Sequence, residues 1–203
     1  MKIFTTPKRR AAAFSLMEVL VVISIIALLA SMTMGAFSYA QRSAMRNRTT
    51  AMHRGIISGL ENYHSEYGEY PTPASDGVTE KFGTKTYETG GAMMLYQALS
   101  GDGTDKLRLA GGGGSSSDNK WTEGEKMMLS EMPKEFYTRG NSNVYMLLDA
   151  FGHPFQYTKG GTMNAVNPSY DLWSYGEDDM NTKSTDKTSK LTPKVSAKWI
   201  KNF

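Results

Sequence analysis

The sequence predicts an α+β fold: one long N-terminal helix packed on a small C-terminal antiparallel β-sheet. Three observations predict it. Residues 14–37 form an apolar run of 24 residues carrying one charge. No proline interrupts the chain from Ala11 to Tyr70, so a helix can run on past the apolar segment. The C-terminal third holds short aromatic or β-branched runs separated by turn residues.

The chain opens with a basic leader, residues 1–13, in which Lys2, Lys8, Arg9 and Arg10 precede the first acid, Glu18. The apolar run that follows is a transmembrane helix segment, residues 14–37. As a helix it spans roughly 36 Å, enough to cross a bilayer. The positive-inside rule places the leader in the cytoplasm and the rest of the chain outside. A secretory signal peptide fits less well, because the run is long and Leu28-Leu29-Ala30-Ser31 is a poor cleavage site. A plain membrane anchor leaves Glu18 unexplained, since a carboxylate at the start of a membrane helix is costly and by default functional.

Residues 38–68 read as an amphipathic continuation of the helix. Met52, Ile56, Leu60, Tyr63 and Tyr67 recur at helical spacing and form a stripe that packs on the following domain. Gly68 suits a helix C-cap and Pro71 blocks continuation. Residues 69–203 form the soluble domain. Within it, residues 72–90 read as a loop and Ala92 to Leu99 as a short helix. Residues 110–119, AGGGGSSSDN, read as a mobile Gly/Ser loop. Val144 to Leu148, Phe155 to Thr158 and Tyr170 to Tyr175 read as consecutive antiparallel strands.

Composition narrows the function classes. Without its four leader cations the chain has 19 basic and 20 acidic residues, which gives no concentrated basic face for nucleic acid. Arg42, Arg46, Arg48 and Arg54 form a loose cluster past the apolar run, read as a solvated or headgroup-facing helix surface. The chain has no cysteine, so disulfides and thiolate chemistry are excluded. His53, His64 and His153 are scattered, and no zinc, nucleophile-elbow, dinucleotide or P-loop motif appears. The reading is therefore not an enzyme. The methionines read as fillers of apolar gaps, and Trp121, Trp173 and Trp199 as core or interface anchors.

The string AFSLMEVLVVISIIALLA resembles the prepilin signature of type IV pilins and pseudopilins. That resemblance implies a pilin fold, cleavage between Ala13 and Phe14 by prepilin peptidase, N-methylation of Phe14, and Glu18 as the fifth mature residue. Ala13 stands where the family prefers Gly. Cleavage would create an α-amino cation on Phe14, and Glu18 of one subunit would meet that amine on its neighbour, fixing register in the polymer. Three further stretches resemble the major, G-type pseudopilin of type II secretion: YHSEYGEYPTP, DAFGHPFQY and YDLWSYGEDD. They imply a calcium site in the loop after the last strand, with Asp178, Asp186 and the Tyr175 carbonyl as ligands. The structural alternative is a solvated loop, threaded by Lys183, Lys187 and Lys190.

The resemblance implies a pseudopilus subunit that drives protein export. Its partners would be further copies and sibling pseudopilins, prepilin peptidase, and an inner-membrane assembly platform with its cytoplasmic ATPase. Its location would be the bacterial inner membrane, single-pass, with a periplasmic C-terminal domain. Three alternatives remain: a type IV pilus subunit, a membrane-anchored binding protein that never polymerises, and a secreted enzyme released from a signal peptide.

Overall fold

The computed structural model describes residues 15–73, 79–82, 84–100, 127–129, 132–140, 145–178 and 186–203. The leader, the Ala13–Phe14 bond, the Gly/Ser loop 110–119, Trp121, Val144, Asp179 and Lys183 lie outside the described residues. The chain divides into two compact units, Met1–Arg42 and Ser43–Phe203.

One helix, α1 (Leu16–Tyr67), runs for 52 residues and contributes to both units. It continues through Gly35, whose cost of about 1 kcal/mol relative to alanine does not break it. It stops at Gly68, which takes a left-handed φ of 76° and donates its N–H to the His64 carbonyl at 2.8 Å.

In the C-terminal unit the stripe packs as its spacing requires. Met52, Ile56, Leu60 and Tyr63 are buried against Met94, Leu95 and Leu99 of α2 (Gly90–Ser100) and against Leu147, Phe155 and Leu172. Tyr67 departs from the reading: it is 47% exposed and leans on Tyr63, ring centroids 4.5 Å apart. It lies in the last turn of α1, and the chain turns away at Gly68.

Residues 79–88 correct the loop reading. They form a hairpin of β1 (Thr79–Phe82) and β2 (Lys85–Glu88), with Glu80 opposite Tyr87. The segment carries little apolar signal. Its one fully buried aromatic, Tyr87, joins Trp173, Tyr175 and Trp199 in a second cluster, and that tertiary contact fixes the hairpin.

The remaining strands form two ladders. A 3₁₀ turn at Lys134–Phe136 leads into β3 (Tyr137–Arg139), which pairs with β4 (Tyr145–Leu147). A three-stranded antiparallel sheet has the order β5 (Gln156–Lys159), β6 (Tyr170–Ser174), β7 (Ile200–Lys201). The expected pairing of β5 with β6 is present. β4 does not pair with them as a strand: its end meets the start of β5 at the bridge Leu148–Pro154, where the Phe155 N–H donates to the Leu147 carbonyl at 3.1 Å and Pro154 has no N–H with which to extend the ladder. Two short helices, α3 (Lys187–Leu191) and α4 (Pro193–Ser196), return the chain to β7.

Strand β6 is buried at all five positions because both faces are covered. Tyr170 and Leu172 point into the helix core, while Trp173 joins the second cluster. Trp173 and Trp199 stack with ring centroids 6.1 Å apart, the core role expected of them.

Candidate assembly helix

The first turn of α1 is built by Ser15 and Glu18. Ser15 precedes the helix. Its Oγ accepts the Met17 N–H at 3.3 Å, and its carbonyl accepts the N–H groups of Glu18 and Val19 at 3.0 and 3.2 Å. The sequence Ser15-Leu16-Met17-Glu18 has the spacing of a capping box, a signal present in the sequence that the reading of Glu18 did not use. Glu18 lies in the first turn, where the positive end of the helix dipole favours a carboxylate.

Beyond Glu18 the helix presents apolar side chains on every side. Leu20, Val22, Ile23, Ile26 and Leu29 are all more than half or nearly half exposed. Among the described residues no segment covers the apolar window. Its serines are made compatible with lipid by back-bonding: Ser24 Oγ donates to the Leu20 carbonyl at 2.8 Å and Ser31 Oγ to the Leu28 carbonyl at 2.7 Å. A helix with backbone and hydroxyls internally satisfied and apolar groups facing outward suits a bilayer or a bundle of like helices.

The later half of α1 is held by polar contacts that periodicity did not reveal. Thr49 is fully buried and accepts the Ala150 N–H at 3.1 Å. His53 Nε2 donates to the Leu172 carbonyl at 3.0 Å, and burial pushes its pKa below the ordinary imidazole value. Tyr170 and Tyr70 hydroxyls both donate to Glu61, and burial raises the pKa of both phenols.

Two buried carboxylates were likewise missed. Asp149 Oδ1 accepts the N–H groups of Phe151 and His153 at 2.9 and 2.8 Å, and Oδ2 accepts the Ser174 hydroxyl at 2.5 Å. Burial holds this carboxyl above the usual range, against the hydrogen bond from Ser174. The serine donates directly to the carboxylate and is fully buried, so this is a turn clamp and not a nucleophile. Asp171 accepts the N–H groups of Val166 and Asn167 and pairs at 2.9 Å with Lys190, itself fully buried beneath the Trp173 ring. Lys190, expected in a solvated loop, is instead part of the core, and burial lowers its pKa despite Asp171.

The residues expected to hold calcium are placed as follows. Asp178 is buried, its Oδ2 accepting the Trp199 indole N–H at 3.2 Å. The Tyr175 carbonyl accepts the Asp178 N–H at 2.9 Å. Asp186 is the N-cap of α3: it accepts the Ser189 N–H at 2.9 Å and hydroxyl at 2.7 Å, and those bonds lower its pKa. Among the described residues no three acidic or histidine side chains cluster as a metal site.

Residues 8–34 match the family model of the prokaryotic N-terminal methylation motif. No curated protein and no solved structure matches the chain. The motif is that of type IV pilin-like prepilins, and it implies processing by prepilin peptidase and polymerisation with other pilin subunits. The architecture agrees: a long apolar N-terminal helix followed by small antiparallel sheets is an α+β pilin fold.

Proposed function

We propose that the chain is a structural subunit of a pseudopilus of a type II secretion system, cut between Ala13 and Phe14 and polymerised through α1 to drive protein export. The observation that carries the reading is the methylation motif over residues 8–34, set on a helix whose apolar side chains are exposed all round. The pseudopilus, in preference to a surface pilus, is supported by the stretches YHSEYGEYPTP, DAFGHPFQY and YDLWSYGEDD and by the absence of cysteine. In this reading the chain spans the inner membrane once, with the C-terminal unit in the periplasm. It works with sibling subunits, an assembly platform and a cytoplasmic ATPase. The role is structural, not catalytic.

The test is the N-terminal sequence and intact mass of the protein from native membranes, paired with a secretion assay in a deletion strain. The expected product starts at Phe14 and carries one extra methylene, and the deletion abolishes export while surface pili persist. A product starting at Met1 would refute processing. Lost pili with intact export would move the chain to the pilus.

Calcium binding at residues 175–186 is proposed alongside. It is supported by Asp178 and Asp186, which flank the segment between them. A bound ion would stabilise the folded unit by mass action. A melting temperature unchanged by calcium and by chelator would remove it.

A further inference from the structure

Two stretches of the sequence are basic and free of acid. From Val19 to Leu60 there is no Asp or Glu, while Arg42, Arg46, Arg48 and Arg54 are present. From Lys187 to Phe203 there is again no acid, and five lysines are present. Nothing in the sequence says that these stretches meet. The fold brings them together: Arg46 Nη1 donates to the Lys198 carbonyl at 3.2 Å. Lys194, in α4, and Lys198, two residues past its end, are both exposed. Among the described residues neither has a carboxylate partner.

The geometry points to a second membrane contact: Arg46, Lys194 and Lys198 form a basic collar that binds the phosphate headgroups of an anionic lipid surface. This rests on the reading of the first part of α1 as membrane-spanning. Arg46 follows Phe37, the end of the apolar run, by nine residues, about 14 Å along a helix. So short a connection limits how far the collar can lie from a bilayer, whose polar headgroup zone extends beyond the hydrocarbon core. Orientation does not need these arginines, because the leader supplies its own four cations. The collar keeps a net positive charge after local neutralisation. Arg48 is paired with Glu135, and Glu177 stands on the turn whose Gly176 abuts the Lys198 carbonyl. In the membrane-resident subunit the collar seats the C-terminal unit on the bilayer, and extraction into a filament must break that contact.

The absence of cysteine gives a clean test. The full chain with Ala197→Cys carries a single fluorophore beside Lys198 and is reconstituted into phosphatidylcholine vesicles, with or without phosphatidylglycerol, that bear a headgroup-linked energy acceptor. Flotation with neutral vesicles reports insertion separately, and failure to float would refute the span and the collar with it. The expected result is transfer that rises with phosphatidylglycerol and falls at about 1 M salt, where the screening length is about 3 Å. Each lysine contributes about fivefold, so Lys194→Gln with Lys198→Gln lowers the docked-to-undocked ratio about 25-fold while flotation persists. Transfer that is equal in neutral and anionic vesicles, or unchanged in the double variant, would overturn the proposal. So would a DNA duplex that binds through the same two lysines more tightly than the headgroups do.

Discussion

Replacing Asp149 by alanine isolates the turn clamp between β4 and β5. The substitution leaves three donors without their acceptor: the N–H groups of Phe151 and His153 and the Ser174 hydroxyl. Losing the acceptor of a buried donor costs about 1–3 kcal/mol. Phe151 and His153 are only partly buried, so water can reach their N–H groups and the low end applies. Ser174 is fully buried, so the high end applies. The three share one carboxylate and are not strictly additive, which places the total at about 3–5 kcal/mol. That is a large fraction of the 5–15 kcal/mol typical of a domain. Asp149→Asn separates acceptor from charge. Its amide oxygen keeps both backbone bonds and its NH₂ can donate to Ser174, so the expected loss is about 1 kcal/mol. Burial already disfavours the charged carboxylate, so little is forfeited with the charge. The assay is urea unfolding of the full chain in detergent, followed by tryptophan fluorescence, with the midpoint read at constant slope. An alanine variant within about 1 kcal/mol of the parent, or an asparagine variant as damaged as alanine, would refute the clamp.

Glu18→Gln is expected to insert into membranes normally and to fail in filament assembly; normal filaments by electron microscopy would remove the register role of this carboxylate. The pH dependence of stability carries a signature of His53. Its folded-state pKa lies below 6.5, so the unfolded chain takes up the proton first as pH falls. Stability is full above about pH 6.5 and declines below it, by at most about 1.4 kcal/mol per pH unit. His53→Gln should flatten the melting temperature between about pH 7 and 5, and an unchanged profile would assign the decline elsewhere. Gly160→Ala should destabilise by about 1–3 kcal/mol, because a Cβ there would overlap the Pro168 and Ser169 carbonyls. A neutral alanine by thermal melting would mean that the β5–β6 connection yields at no cost.

The course of α1 was legible because helix periodicity and the absence of proline are local properties. Its end was equally local, since Gly68 supplies the left-handed turn and Pro71 follows. Strands β5 and β6 were legible because aromatic and β-branched residues are dense there. The β1–β2 hairpin was not: its residues are mostly polar, and only the contact of Tyr87 with the distant Trp173, Tyr175 and Trp199 selects the extended form.

The sequence by itself determined the prepilin-type N-terminal motif: an apolar helix led by basic residues and marked by Glu18. Those features are legible because each is a property of the linear string: charge order, apolar run length and the spacing of one carboxylate. The tertiary structure alone decided which charges are buried and which are displayed. Lys187, Lys190, Lys194 and Lys198 look alike in the sequence. Yet Lys190 lies in the core on Asp171, 19 residues away, while Lys194 and Lys198 stay exposed, and the Lys198 carbonyl meets Arg46, 152 residues upstream. The reason is physical. Burial of a charge depends on a partner supplied by another part of the chain, and no local pattern records where that partner will be.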